Sequence, residues 1–269
     1  MNWPPIRRVS RSTSQWKSSA KPSSCLLGLS HIVRKSNALC LRFNFANSRN
    51  KNVESPHRNQ PVLQRGRGLD SVQAAVVLVH GRGGSATDIL SLAAELDFPE
   101  LAYLAPEAAG HTWYPYSFLA PIEQNQPWLN SALSLVGETV KRATAAGIPQ
   151  SKVAIVGFSQ GACLATEFVA RNAARYGGLI AFTGGLIGPP GTRFIYSGEL
   201  SGTPCFLGAG DPDPHVPWQR VEESASVLSA LGAAVTLRRY PGLPHTINED
   251  EIEQAKNILR WLVAKERSV

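Results

Sequence analysis

Near the middle of the chain, Gly157-Phe158-Ser159-Gln160-Gly161 sets a single serine between two glycines. A serine hydroxyl is a weak nucleophile until a base takes its proton, so this serine needs an imidazole and an acid to orient it. Past Ser159 the sequence holds two histidines, His215 and His245. His245 lies in the turn-rich stretch RRYPGLPHTINEDE, where a loop can hang an imidazole over a serine, and it is the expected base. In the chain order Ser, acid, His, the acid falls between them. The stretch FLGAGDPDPHVP offers Asp211 and Asp213 there, and spacing within the loop does not choose between the two. His215 follows Asp213 too closely to reach over its carboxylate and reads as a loop residue.

Attack by such a serine on a carbonyl creates an oxyanion, which needs two amide donors. One is expected from Gln160, the residue after the serine. The other is expected from the Gly-rich stretch LVHGRGG (Leu78 to Gly84), through the backbone amide of Arg82. On this reading the Arg82 side chain matters less than its N–H.

These groups must be positioned by regular elements. VAIVG before Ser159 has the length and apolarity of a buried strand, and GACLATEFVARNAARY after it reads as a helix. A serine on such a strand-to-helix turn is lifted above the sheet, and residues without side chains on either side let the backbone turn tightly. Around this centre, strand patterns (AAVVLVHG, LAYLAPEA, GGLIAFTGG, TPCFLGAG, AVTLRRY) alternate with helix patterns. The helices are SATDILSLAAEL with Ser85 as N-cap, SALSLVGETVKRATAAG ending at Gly147, VPWQRVEESASVLSALG, and the acid-fronted NEDEIEQAKNILRWLVAKE. Continuous apolar strands alternating with helices predict an α/β fold with a mostly parallel sheet covered on both faces. Between the second strand and the next helix lies a polar, aromatic loop, GHTWYPYSFLAPIEQNQPW. Trp113, Tyr114 and Tyr116 in it are candidates for a pocket wall or for core packing.

The chain has 269 residues, 43% of them hydrophobic, enough for one substantial core or at most two small ones. No apolar run approaches the ~20 residues of a membrane-spanning helix. The net charge of +7 divides unevenly. Residues 1–64 hold eleven Lys and Arg against one acid, Glu54, so the excess of positive charge belongs to this leader, and residues 65–269 are slightly acidic. A nucleic-acid-binding face, which needs basic residues on the domain, is therefore not expected. The Ser- and Arg-rich opening, MNWPPIRRVSRSTSQWKSSAKPSS, has the composition of a mitochondrial or chloroplast transit peptide. A disordered tail, or translated sequence upstream of the true start in a cytoplasmic protein, is the plainer alternative. Residues 1–64 are accordingly set apart from an α/β domain at 65–269. The four cysteines, Cys25, Cys40, Cys163 and Cys205, have no metal-ligand spacing and read as free thiols, buried in the domain.

Two rival readings are weaker. The stretch HGRGGS opens a helix as a dinucleotide loop would, but Ala86 stands where the third glycine belongs, and no P-loop Lys is present. A catalytically silent fold used for ligand binding or protein contacts is the alternative function, against which stands the presence of every triad residue type.

Taken in order, LVHGRGG, GFSQGACLA, GDPDPHVP and YPGLPHTI resemble the phospholipase/carboxylesterase family of α/β-hydrolases, over about residues 70–265. That family includes acyl-protein thioesterases and small-ester carboxylesterases. The resemblance implies an α/β-hydrolase fold without a large lid, no cofactor or metal, and a small ester or thioester substrate cleaved through an acyl-enzyme. It also implies Asp213 as the acid, since the family's acid opens an Asp-Pro-x-Val-Pro element, here Asp213 to Pro217, with Asp211 in reserve. Two departures stand out. The aromatic loop is longer than in the thioesterase branch, and Arg82 replaces an apolar residue. Both resemble the "predicted esterase" branch and leave long-chain thioester specificity unsupported.

Overall fold

Seven strands form one sheet in the computed structural model, which describes residues 55–264. They are β1 (Val62–Gly66), β2 (Ala75–Val79), β3 (Ala102–Pro106), β4 (Val153–Phe158), β5 (Gly178–Phe182), β6 (Pro204–Asp211) and β7 (Ala234–Pro241). Their order across the sheet is β1-β3-β2-β4-β5-β6-β7. Only β1 runs antiparallel to its neighbour, β3. The strand carrying the approach to Ser159, β4, lies at the centre and is buried on both faces, which is why its sequence is an unbroken apolar run.

Alternate residues of each strand feed two cores. Val77, Val79 and Ile155 pack with α3 (Trp128–Ala145), α4 (Gln160–Arg171) and α5 (Trp218–Ala230). Val76, Leu78 and Val156 pack on the other face with α1 (Ala86–Leu90), α2 (Leu92–Leu96) and α6 (Glu249–Val263). The expected alternation of strand and helix is thus present with helices on both faces. Cys163 and Cys205 are buried free thiols, as expected.

Three details differ from the sequence reading. The helix expected over SATDILSLAAEL is two short helices. Ser85 does cap the first, in a reciprocal box with Asp88 (3.1 Å and 2.9 Å). The Ser91 hydroxyl then donates to the Asp88 carbonyl oxygen at 2.6 Å, competing with the helical ladder where the two helices meet. Helix α3 starts at Trp128, behind Pro127, before the first residue of its amphipathic pattern. Strand β1 straddles the boundary expected between residues 64 and 65. It is an edge strand exposed along most of its length, with polar residues such as Gln64 and Arg65, so neither hydropathy nor alternation marks it. The targeting reading of the opening residues, with Cys25 and Cys40, falls outside the described residues. Among the described residues, no helix is long and apolar enough to cross a membrane.

Candidate active site

Ser159 sits at the junction of β4 and α4 with φ 54° and ψ −120°, a conformation that L-residues adopt only under constraint. The constraint is steric and comes from both glycines. A Cβ on Gly157 would overlap the Gly161 carbonyl, and a Cβ on Gly161 would overlap the carbonyl oxygens of Val79 and His80. With both side chains absent, α4 packs directly against the end of β2 and the serine is forced out at the carboxyl edge of the sheet. Its amide is held by the Phe182 carbonyl at 3.0 Å.

His245 reaches it from the loop between β7 and α6. Its Nε2 is 2.8 Å from Ser159 Oγ, and its Nδ1 is 2.8 Å from Asp213 Oδ2. The Asp213 side chain is fully buried. Burial works to raise its pKa, but the hydrogen bond from His245 and those from the amides of His215 (2.8 Å) and Val216 (2.9 Å) outweigh it. The carboxyl therefore lies below its ordinary value and is charged at neutral pH. Asp211 is instead paired with the Arg239 guanidinium at the sheet edge, so the structure brings together Asp213, His245 and Ser159 and leaves Asp211 aside. A hydroxyl bonded to an imidazole that is backed by a buried carboxylate can surrender its proton as it attacks a carbonyl carbon.

The other wall of the site is the turn after β2. Gly81 lies so close to Ser159 that a Cβ there would stand 3.5 Å from the serine Cβ. The amide of Gln160, first residue of α4, has no carbonyl one turn back to receive it. The amide of Arg82 likewise has no backbone partner among the described residues, whereas those of Gly83 and Gly84 donate to His111 O (2.8 Å) and Gly81 O (3.1 Å). An open cleft of about 430 Å³ lies over these groups, and its lining includes Arg82, Tyr114, Tyr116, Phe158, His215 and His245.

Of the three aromatic candidates, Tyr114 and Tyr116 line the cleft and Trp113 does not. Trp113 is fully buried behind it, its indole N–H donating to His80 O (2.8 Å) and its ring packed between His57 and His80. Of the two places open to it, wall or core, Trp113 takes the core: an indole with a buried carbonyl within reach is better satisfied there than in water.

Three residues of the site have no signal in their local sequence. His57 and His80 are buried histidines held by backbone groups, His57 by Trp113 O (3.0 Å) and the Ala109 amide (3.1 Å), His80 by Gly81 O (2.8 Å) and the Ala108 amide (3.1 Å). Burial lowers the pKa of both, so they act as neutral braces. His215, read as a plain loop residue, stacks edge-on against His245 with ring centroids 4.9 Å apart. The Cys163 thiol also borders the cleft, but burial pushes it up to about 12, which leaves it protonated and inert. Among the described residues no cluster of His, Cys, Asp and Glu is arranged to hold a metal ion.

Comparison with known proteins bears on this arrangement. A family model described as phospholipase/carboxylesterase matches residues 66–263. A phospholipase/carboxylesterase of Dyadobacter fermentans, known from its crystal structure, is 50% identical, with a TM-score of 0.72, covering 74% of this chain and 96% of that one. An acyl-protein thioesterase 1 of Cryptococcus neoformans is 24% identical over 222 residues, 71% of this chain and 91% of the relative. A probable SOBER1-like carboxylesterase of Arabidopsis thaliana is 24% identical, over 72% of this chain and 81% of the relative.

Proposed function

The chain belongs to the phospholipase/carboxylesterase family of α/β-hydrolases and is a serine hydrolase of carboxylic esters or thioesters; we propose that Ser159 is its nucleophile, His245 its general base and Asp213 the acid that orients the base. The observation that carries this assignment is the single imidazole bonded to both other groups at 2.8 Å. His245 takes the Ser159 proton as Oγ attacks the carbonyl carbon. The amides of Gln160 and Arg82 receive the developing oxyanion. The tetrahedral intermediate collapses to an acyl-enzyme, and the leaving alcohol or thiol departs with the proton from His245 Nε2. A water molecule then gives its proton to His245 and attacks the acyl carbon, and return of that proton to Ser159 Oγ frees the acid. Asp213 remains ionised throughout and stabilises the imidazolium.

The hydrolase unit on this proposal includes His57, which braces the segment that leads to the cleft wall. The opening residues 1–24 carry the basic, Ser-rich composition on which targeting to an organelle is proposed; a reporter fused to them that stays in the cytoplasm would overturn that part alone.

A fluorophosphonate probe tests the assignment. It is expected to label the wild-type chain and not Ser159→Ala, with hydrolysis of p-nitrophenyl esters abolished in parallel. A wild-type chain that neither binds the probe nor hydrolyses the esters would make it a silent member of the family.

A further inference from the structure

The backbone amides of Arg82 and Gln160 belong to residues distant in sequence, and their side chains share an acceptor. Arg82 Nη2 donates to Tyr114 O (2.9 Å) and to Tyr116 O (2.8 Å), and Nη1 donates to Pro115 O (2.9 Å). Gln160 Nε2 donates to the same Tyr114 O (2.8 Å), while its Oε1 accepts from the Trp113 amide (3.0 Å) and the Thr112 hydroxyl (3.3 Å). The Thr112 hydroxyl also lies 3.0 Å from Tyr114 O. One carbonyl oxygen is thus the shared acceptor of both side chains. The segment it belongs to, residues 112–116, has no helical or strand hydrogen-bonding of its own.

A planar guanidinium presents its donors in a rigid fork, and here the fork spans three consecutive carbonyls. Its charge has no carboxylate partner among the described residues, so these three oxygens are its protein ligands. Charge-assisted bonds of this kind are stronger than neutral ones. Cutting them removes three of the bonds on a loop that carries two cleft-lining tyrosines, leaving those from Gln160 and the Tyr116 amide bond to Asn125 Oδ1 (2.9 Å).

We propose that the Arg82 side chain is a positioning and specificity-determining residue, which together with Gln160 locks residues 112–116 through Tyr114 O, setting the spacing of the two oxyanion-binding amides and the width of the cleft. This rests on the assignment of those amides made above. Two consequences follow from the geometry. With the lock intact, the amides are preorganised before substrate arrives, so its loss lowers kcat more than it raises KM. With Tyr114, Pro115 and Tyr116 pinned, the wall cannot retreat, so the cleft favours short acyl groups; with the pin removed, longer chains gain relative to short ones.

The test uses the full chain as wild type, Arg82→Met, which keeps the length of the side chain without its donors, and Arg82→Lys. Steady-state kinetics are measured on p-nitrophenyl acetate and octanoate, beside fluorophosphonate labelling and thermal unfolding. For Arg82→Met, kcat on acetate is expected to fall about 10- to 100-fold with KM within about threefold, as for a small misplacement of an oxyanion donor. The octanoate-to-acetate ratio of kcat/KM is expected to rise about tenfold, and millimolar guanidinium to restore part of the lost kcat. A folded Arg82→Met with wild-type kcat and an unchanged chain-length ratio overturns the proposal. If Arg82→Met does not fold, Arg82→Lys decides: a lower kcat at unchanged KM supports the lock and wild-type kinetics reject it. A wild-type chain that is inactive and unlabelled takes down the hydrolase assignment and this proposal together, whereas an active, labelled wild type with an indifferent Arg82→Met sinks the lock alone.

Discussion

On one side of Ser159 the chain delivers an imidazole and a carboxylate on two loops; on the other it delivers two amides on segments braced from behind. The acid and base follow β6 and β7, at the edge of the sheet where β7 alternates between half-buried and exposed residues. His245 is held by one hydrogen bond to Asp213 and by ring contacts to Phe158 and His215. The amide side follows the central strands β2 and β4, and buried Trp113, His57 and His80 stand behind it with their polar atoms bound to backbone groups. The difference matches what each side does in the proposed mechanism. A base must gain and lose a proton and share it with solvent, whereas oxyanion donors stabilise charge best when they do not move.

The comparison is broken most decisively at the acid. Asp213→Asn is expected to lower kcat on a p-nitrophenyl ester about 10³- to 10⁴-fold, because an amide holds the imidazole in the wrong tautomer. Asp211→Asn, which only loses Arg239, is expected to stay within about threefold. Equal losses, or a larger one at Asp211, would show that the loop rearranges on substrate binding and that the observed pairing is not the working one.

A smaller effect separates two buried carboxyls on the acid-base side. Asp213 is held below the ordinary carboxylate range, so its contribution to stability is complete above that range and is lost as pH falls through its folded pKa. Glu251 caps α6 just past His245 through a reciprocal box with Asn248 (both bonds 3.0 Å). Burial pushes its pKa up to about 8, against the opposing hydrogen bond from the Asn248 amide and with a small addition from Asp250. Between its ordinary value and about 8 the folded chain keeps a proton that the unfolded chain has released, so stability falls as pH rises through that window. In urea unfolding from pH 5 to pH 9, the wild type is expected to lose on the order of 4 kcal/mol relative to Glu251→Gln, the contributions of His57 and His80 being common to both. A parallel pH slope in the two proteins would remove Glu251 as its source.

The smallest expected effect is on the amide side. Trp113→Phe removes the hydrogen bond to His80 O and leaves a buried carbonyl unsatisfied, which is expected to cost about 1–3 kcal/mol in unfolding free energy. The accompanying fall in kcat is expected to be less than about tenfold, because Arg82 and Gln160 still hold the loop. A larger loss of kcat than of stability would place the principal brace at Trp113 and weaken the role given to Arg82.

Much of the site can be read in the sequence because its constraints are local. Ser159 between two glycines is dictated by two backbone overlaps that any larger residue would create, and such overlaps leave a mark at fixed spacing. The apolar runs of β2 and β4 follow from burial on both faces of a central parallel strand. By the same reasoning β1, polar and at the edge, left no pattern. Asp211 and Asp213 were equivalent as turn residues; they separate only through what comes to meet each, Arg239 for one and His245 for the other. His57 and Trp113 meet across 56 positions of sequence, and Arg82 reaches carbonyls 32 to 34 residues away. A carbonyl oxygen exists at every residue, so no residue type announces that Tyr114 O is to be a shared acceptor. The sequence by itself singled out the serine, the imidazole and the α/β frame, because these rest on side-chain chemistry and on steric rules that act over a few residues. Which acid is paired, which aromatic faces the cleft and what holds the amides in place were decided by tertiary structure, because they depend on distances between segments that only packing brings together.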